Sequence, residues 1–411
     1  MVRSALVLSA HVSMGFVVAA CGSSVAELEQ DEAPAPPVDE VSMVARGSNE
    51  LGFAIHRHLS ETEGNLAYAP ASLSIALAMT YAGARGQTAT EMANALSLPA
   101  DPAAVHDGWA TVLASWRARP ELSIANRLFG EALFPFAPAF LHQVEASYGA
   151  PLALADFEYD ADAERIAIND WVAERTEGFI QDLLPPKSVD DTTVLVLANA
   201  MYFDASWQTA FDEAETMDAT FHAPDGDLEV PMMAARLEAR FGWTEEATMV
   251  ELPYDGGAMA ALFVLPPAGQ PVEALEATLD GAAFEAWLAE LETVKLDVAL
   301  PRFDVETVEP LALSEPLEAL GMVSAFDWMT ADFSGMSADG SRAVHLDEVF
   351  QKVVVKVDEQ GTEAAAATAV VAGEYDWQPH FTANRPFLFF VYDRSSTAVL
   401  FAGRVSRPGG S

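Results

Sequence analysis

Histidine and carboxylate side chains are the groups in this chain that could bind a metal or take part in acid–base chemistry. His56 and His58 form an H-x-H pair, but side chains two positions apart on a helix point in different directions. His345, Asp347 and Glu348 could be grouped as metal ligands, yet with 62 acidic residues such groups arise by chance. The sequence also lacks the G-x-S-x-G, Walker A, H-E-x-x-H and dinucleotide-binding glycine motifs. We therefore predict no catalytic residues, no metal and no cofactor.

Cys21 is the only cysteine, and its position favours modification of the thiol over catalysis. Residues 6–20 before it are mostly apolar but too few to predict a membrane span. They lead into V-A-A-C, which resembles the bacterial lipobox, where the cysteine thiol receives a diacylglyceryl group. A generic secretory signal is the alternative, since His11 and Ser13 interrupt the apolar run. We expect residues 1–21 to be a signal peptide with a lipobox, and Cys21 to be lipidated.

Composition restricts the partners and divides the rest of the chain. The formal net charge is −41, so the surface repels phosphate backbones and nucleic acid is excluded as a partner. Residues 22–47, which include the run DEAPAPPVDE, are acidic and Pro-rich and predict a disordered tether. Residues 48–411 contain no comparable linker and predict one globular domain. We expect an exported protein, lipid-anchored at the bacterial envelope or cell surface, or secreted.

The elements that position any functional residue can be predicted from hydrophobic periodicity. Residues 51–59, 71–84 and 162–175 predict helices. Residues 192–203 form a continuous apolar run, which is typical of a fully buried central strand. Further strand patterns follow in the C-terminal half of the chain. Helices gathered early and strands gathered late predict an α+β fold.

The segment from Val357 to Trp377 is unusual because it is long and composed mostly of small residues. A strand of alternating valines ends at Glu359, and small side chains follow on both faces of an extended chain. One face carries Thr362, Ala364, Ala366, Thr368, Val370 and Ala372, and the other carries Glu363, Ala365, Ala367, Ala369, Val371 and Gly373. Such a loop can become a strand between two existing strands without steric conflict.

The pattern E-x-G-T-E-A-A-A-A-T, from Glu359 through Gly361 to Thr368, closely resembles the hinge of serpins. Residues 65–92, the run INDWVAERTEGFIQDLLPP and the run NRPFLFFVYD resemble other motifs of the family. Ten such motifs occur in family order between about residues 65 and 408. The resemblance implies the serpin fold, which has three β-sheets, eight or nine helices and an exposed reactive-centre loop.

The resemblance also implies a region where strands of the central sheet part during function. In the family this region usually holds two serines, an asparagine and a histidine in a hydrogen-bond network. Ser72 and Asn199 match, whereas Ala69 and Gln351 replace one serine and the histidine. Because Gln can donate and accept, we expect the network to persist in altered form. Trp207 matches the family tryptophan at the top of the sheet.

The family spacing locates the bond that a protease would attack. Tyr375 lies fourteen residues after Gly361 and eleven residues before Pro386. Both landmarks therefore predict Tyr375–Asp376 as the reactive bond. A slip of one residue, to Glu374 or Asp376, is the alternative and implies another protease class. The resemblance implies that the cleaved loop inserts into the central sheet and traps the protease as a covalent acyl-enzyme.

Two functions follow from these patterns. The main hypothesis is an inhibitory serpin, a suicide substrate and not an enzyme, directed against chymotrypsin-like or subtilisin-like serine proteases or a cysteine protease with a similar pocket. The alternative is a non-inhibitory serpin that acts as a binding or structural protein. Non-inhibitory members tend to carry bulky, charged or proline residues in the hinge, so Thr and Ala there favour inhibition. We expect a monomer whose partners are the target protease and, through its N-terminal lipid, a bacterial membrane.

Overall fold

The computed structural model describes residues 39–99, 101–307, 309–362 and 379–409. The helices are α1 (Glu40–Leu59), α2 (Pro70–Tyr81), α3 (Gly86–Ala95), α4 (Pro102–Arg117), α5 (Pro138–Tyr148), α6 (Phe157–Arg175), α7 (Glu273–Glu276), α8 (Gly281–Ala289) and α9 (Ser314–Ala319). A short 3-10 helix spans Glu213–Glu215. Within the described ranges, no helix is long and apolar enough to cross a membrane.

The strands lie mainly in the second half of the chain. They are β1 (Leu66–Tyr68), β2 (Leu122–Glu131), β3 (Leu152–Ala155), β4 (Leu195–Phe203), β5 (Ala205–Ser206), β6 (Met217–Ala223), β7 (Gly226–Trp243), β8 (Thr248–Pro253), β9 (Met259–Leu265), β10 (Glu292–Pro301), β11 (Phe303–Glu306), β12 (Leu311–Ala312), β13 (Phe350–Gln351), β14 (Val354–Val357), β15 (Gly361–Thr362), β16 (His380–Thr382), β17 (Phe387–Asp393) and β18 (Val399–Val405). The predicted α+β class is confirmed.

The largest sheet has nine strands in the order β1-β18-β17-β9-β8-β7-β10-β16, with β6 added beside β7. Every residue of β9, β17 and β18 is buried, because helices and other strands cover both faces. This double burial explains why these strands read as uninterrupted apolar runs. The remaining strands form a three-stranded sheet, β3-β2-β4, and the pairs β11–β14, β12–β13 and β5–β15.

The folded domain begins earlier than we predicted. Residues 40–47 were assigned to the tether, but α1 starts at Glu40 and the Asp39 carboxylate caps it by accepting from Ser42 N at 2.7 Å. Val44 is buried, and α1 packs so closely on α4 that a Cβ on Gly108 would lie 2.6 Å from the Glu40 carbonyl oxygen. The expected helix over 51–59 is only the second half of α1. The signal peptide, the remainder of the tether and Cys21 lie outside the described residues.

Candidate functional site

The candidate site is an opening between two groups of strands. β4 is the last strand of the sheet β3-β2-β4, and β14 pairs with β11 on its own far side. In the described part of the chain, no strand lies between β4 and β14. At one end β5, which follows β4, pairs with β15, which follows β14. A cavity of about 140 Å³ separates β4 from residues 343–353 nearer the other end. We call this arrangement the divided sheet.

The position of β4 corrects an expectation. Residues 192–203 predicted a fully buried central strand, yet Leu195 and Leu197 are only half-buried. The reason is the opening beside β4, which leaves side chains of that strand without neighbours on one side. The continuous apolar run is therefore an edge strand, which within the described ranges pairs only with β2.

The hinge lies against β5 in a position that only glycine can occupy. Gly361 has φ of +151°, and a Cβ there would lie 2.1 Å from the Ala205 carbonyl oxygen and 2.6 Å from the Ser206 Cα. The main chain before it is held by Trp207, whose N–H donates to the Gln360 carbonyl at 2.8 Å. The Trp207 indole N–H also donates to the Asp358 carbonyl at 2.9 Å. The hinge glycine is thus explained by close approach of two main chains.

Thr362 is the last described residue of the hinge and is buried. Its hydroxyl lies 2.9 Å from the hydroxyl of Tyr254, whose ring stacks on Trp207 with centroids 4.6 Å apart. Burial raises the pKa of Tyr254 well above its ordinary value, with the Thr362 hydrogen bond acting in the opposite direction. Tyr254 therefore stays protonated, and the pair forms a neutral buried hydrogen bond. The site at Thr362 accepts a small hydroxyl side chain and no charge.

Glu359 anchors the base of the hinge through its carboxylate. It is buried, and its oxygens accept from Arg302 Nε at 2.6 and 2.7 Å and from the Thr216 hydroxyl at 2.5 Å. Burial opposes ionisation, but the hydrogen bonds from Thr216 and Arg302 outweigh it, so the pKa of Glu359 lies below its ordinary value. The Glu359 carbonyl accepts from Phe211 N at 2.8 Å as well. Glu359 is therefore a charged, fully bonded anchor.

We expect acid to weaken this anchor. Because the folded pKa of Glu359 is depressed, its ionised form stabilises the protein above about pH 4.5 and loses that effect as pH falls through the folded pKa. Glu359→Gln should lower the free energy of unfolding by about 1–2 kcal/mol at pH 7, because charge-assisted hydrogen bonds are replaced by weaker ones. Urea denaturation of both proteins from pH 7 to pH 3 measures the difference, which should shrink below about pH 4.5. A difference that stays constant over this range contradicts the assignment.

Ala69 and Gln351, two positions of the sheet-opening region, form a hydrogen-bonded pair. The sequence predicted a network in altered form but not these bonds. Gln351 Nε2 donates to the Ala69 carbonyl at 2.9 Å, and Gln351 Oε1 accepts from Ala69 N at 2.9 Å. The glutamine thus satisfies the main chain at the start of α2 directly. Ser72 is buried on α2 and lines the cavity, whereas Asn199 lies in β4 opposite Asn126 of β2. The structure brings Ala69, Ser72 and Gln351 together at the cavity.

We expect Gln351→Leu to destabilise the protein by about 1–3 kcal/mol, because the buried Ala69 N–H would lose its acceptor. Chemical denaturation measures this loss. Gln208→Leu is the matched control, because Gln208 is exposed and should change stability by less than about 0.5 kcal/mol. Equal stability of the Gln351→Leu variant and the native protein would show that the pair is not stabilising.

A side chain from the segment after α6 lies across the divided sheet. The Phe179 ring stacks on Tyr202 of β4, with centroids 4.8 Å apart and an interplanar angle of 19°. The Lys356 Nζ of β14 lies 5.3 Å from the centroid of the same ring. We call this arrangement the Phe179 clasp. Through stacking and cation–π contact it connects β4 and β14, the two edges of the divided sheet.

Part of the predicted site lies outside the described residues. This applies to Glu363, Ala364, Ala365, Ala366, Ala367, Thr368, Tyr375 and Asp376. The described chain stops at Thr362 of β15 and resumes at Pro379, just before β16, which pairs in parallel with β10. The described hinge residues Glu359, Gly361 and Thr362 lie next to Trp207, at one end of the opening.

Several site residues escaped the sequence analysis. Arg302 and Tyr254 contact the hinge, and Phe179 and Lys356 form the clasp, but none of them stands in the hinge motif. Arg302 lies within the run LPRFDVE, which resembles a motif of the family, and this was the one sequence signal available for it.

The candidate metal-ligand group is only partly brought together, because His345 and Asp347 form a pair at 3.0 Å. Over the described ranges, no group of three or more candidate ligands is placed to hold an ion.

Comparison with known proteins identifies the class that this fold and hinge define. The sequence model of the family described as "Serpin (serine protease inhibitor)" matches residues 46–408. Human Serpin B8 is 38% identical over 376 residues, covering 89% of this chain and 99% of that protein. Human leukocyte elastase inhibitor is 36% identical over 374 residues, covering 87% of this chain and 97% of that protein. The chain therefore belongs to the serpin family.

A solved structure supports the same assignment. Thyroxine-binding globulin, in its complex with thyroxine, superposes with a TM-score of 0.78 at 27% identity. The match covers 89% of this chain and 99% of that chain. The similar proteins thus include one named as an inhibitor and one named for binding thyroxine.

Proposed function

We propose that this serpin inhibits a serine protease by a covalent, single-use mechanism. The observation that carries the proposal is the hinge. β15 pairs with β5 at the end of an opening between β4 and β14 that no strand of the described ranges fills. The next residues of the chain are small on both faces, so they suit a strand that fills this opening. The inhibitory names of similar proteins, such as leukocyte elastase inhibitor, support the same function.

In the proposed reaction, the protease serine oxygen attacks the Tyr375 carbonyl and forms an ester. The Tyr375–Asp376 peptide bond breaks, and the new amino group of Asp376 leaves with the proton supplied by the protease. Residues after Thr362 then extend β15 between β4 and β14. Each ladder hydrogen bond contributes about 1 kcal/mol net, so about a dozen residues supply a drive on the order of ten kcal/mol. The attached protease is displaced, and a misplaced oxyanion hole slows hydrolysis of the ester by roughly a hundredfold or more.

Incubation with chymotrypsin and a denaturing gel tests this function. A band at the summed mass of both proteins is the expected result, because the ester survives denaturation. Subtilisin is the second enzyme to try, since its pocket also accepts large apolar side chains. A cleaved band without any complex, for every serine and cysteine protease tried, would reject inhibition. Under the proposed mechanism the protein is not an enzyme, because each molecule is consumed in one reaction with the protease.

The alternative is a non-inhibitory serpin that binds a partner or a small molecule. The similarity to the structure of thyroxine-binding globulin with thyroxine bound favours it. The hinge argues against it, because Thr362 is seated in the sheet and the following residues are Thr or Ala apart from Glu363. The gel described above separates the two functions, because a carrier forms no covalent complex.

For location, we propose a bacterial lipoprotein anchored through Cys21. The V-A-A-C motif and the acidic run between Cys21 and α1 support this, since together they provide an anchor and a spacer. Several acyl chains on one cysteine hold a protein firmly at a membrane, whereas a single chain holds it weakly. Mass spectrometry of the mature N-terminus in the native host should show a diacylglyceryl-modified Cys21. An unmodified N-terminus after Cys21 would contradict the lipid anchor and favour a secreted protein.

A further inference from the structure

The cavity in the divided sheet has one apolar part. Its volume is about 140 Å³, and Leu73, Ala76 and Leu77 of α2 line it together with Leu183 and Leu184 from the segment after α6. Cavities of about 150 Å³ lined by such side chains take up molecules of the size of benzene. The volume and the aliphatic lining therefore fit a single small ring.

The remaining lining is mixed. Residues 192–198 lie on one side of the cavity and residues 343–353 on the other, and both ranges include apolar and polar side chains. No strand within the described ranges pairs with β4 on this side. The hydroxyl of Ser188, another lining residue, is buried and has no hydrogen-bond partner in the described structure. A purely apolar occupant would leave the Ser188 hydroxyl unsatisfied, and a charged occupant would lose its hydration.

We propose that this cavity binds a small uncharged aromatic molecule that carries one hydrogen-bonding group, of the size of phenol or indole, and that the bound molecule slows insertion of the loop. The ring would pack on the leucines, and its hydroxyl or N–H would bond to the Ser188 hydroxyl. The second half of the proposal rests on the proposed inhibitory function.

The expected size of the effect follows from mass action. The occupant and the inserting strand need the same space between β4 and residues 343–353. A ligand that binds only the open form, at a concentration of a hundred times Kd, reduces the unoccupied fraction about a hundredfold. Insertion should slow by the same factor, and more of the protein should be cleaved without trapping the protease.

Thermal unfolding with phenol as the probe tests the site itself. Phenol at about five times Kd should raise Tm of the full chain by about 2 °C. Ala76→Leu places extra carbons in the cavity and should abolish most of this rise. Ala82→Leu is the matched control, because Ala82 is also half-buried, directly after the same helix, but does not line the cavity. Should Ala76→Leu fail to fold, Ala76→Val fills less of the space and should reduce the rise in part.

Chymotrypsin inhibition with and without phenol tests the consequence. Phenol should raise the number of inhibitor molecules consumed for each trapped enzyme in the native protein and in Ala82→Leu, but not in Ala76→Leu. Phenol controls on chymotrypsin alone exclude an effect on the enzyme. An equal Tm rise in Ala76→Leu and native protein overturns the site, and unchanged trapping by phenol-saturated protein overturns the effect on insertion. If the native protein traps nothing without phenol, the proposed function fails, and the Tm comparison alone decides the site.

Discussion

Under the proposed inhibitory function, Thr362→Arg should convert the protein from an inhibitor into a substrate. The Thr362 side chain is buried and bonds to the Tyr254 hydroxyl, so an arginine there would place an unpaired guanidinium in a site built for a neutral hydroxyl. Such burial costs several kcal/mol, so residue 362 of the variant should stay out of the sheet before cleavage, and insertion would then have to bury the guanidinium. Each 1.4 kcal/mol added to the barrier in this way slows insertion about tenfold. We therefore expect covalent complex with chymotrypsin to fall at least about tenfold while cleavage continues.

Two controls make this result specific. Thr209→Arg adds the same charge on an exposed position two residues after Trp207, and it should leave complex formation unchanged. Thr362→Ser keeps the hydroxyl for Tyr254 and should also keep inhibition. Stable complex from Thr362→Arg at the native ratio would mean that insertion does not pass through β15.

Tyr375→Arg should redirect the inhibitor from chymotrypsin-like to trypsin-like enzymes. An aromatic ring suits a deep apolar pocket, whereas an arginine needs a pocket with a buried carboxylate. Leaving that carboxylate or the guanidinium unpaired costs several kcal/mol, so we expect each rate of association to change by roughly a hundredfold, in opposite directions. Association rates with chymotrypsin and trypsin measure the change.

Sequencing of the C-terminal fragment released from the complex is the direct check on the bond. The fragment should begin at Asp376. A fragment that begins at Tyr375 or Trp377 would place the bond one residue away, after Glu374 or Asp376. The target would then be a protease that prefers an acidic residue, and Tyr375→Arg would have little effect.

The family and the fold class were predictable because they depend on patterns within short stretches of chain. Hydrophobic periodicity separated early helices from late strands, and the motifs supplied the serpin fold. The start of α1 was not predictable in the same way. The Pro-rich run stops before Asp39, but the acidic residues continue into the first turn of the helix, so composition alone extended the tether too far.

The contacts of the hinge were not predictable, because their partners are remote in sequence. Glu359 and Arg302 are 57 residues apart, and Thr362 and Tyr254 are 108 residues apart. Gln351 bonds to the main chain of Ala69, and a main-chain partner leaves no signature in residue types. Periodicity assigned β4 correctly as a strand but could not show that one of its edges faces an opening.

The open edge of β4 also has a consequence for amide hydrogen exchange. In a strand, alternate residues direct their N–H groups to opposite sides, so every second amide of β4 faces away from β2 and toward the opening. Such amides exchange with deuterium faster than those paired with β2, because no ladder bond has to open first. If the loop fills the opening as proposed, each of them would gain a carbonyl partner. Slower deuterium exchange at alternate β4 amides would thus show, residue by residue, how far the new strand has formed. The same measurement would detect the new strand in molecules that release the protease before it is trapped.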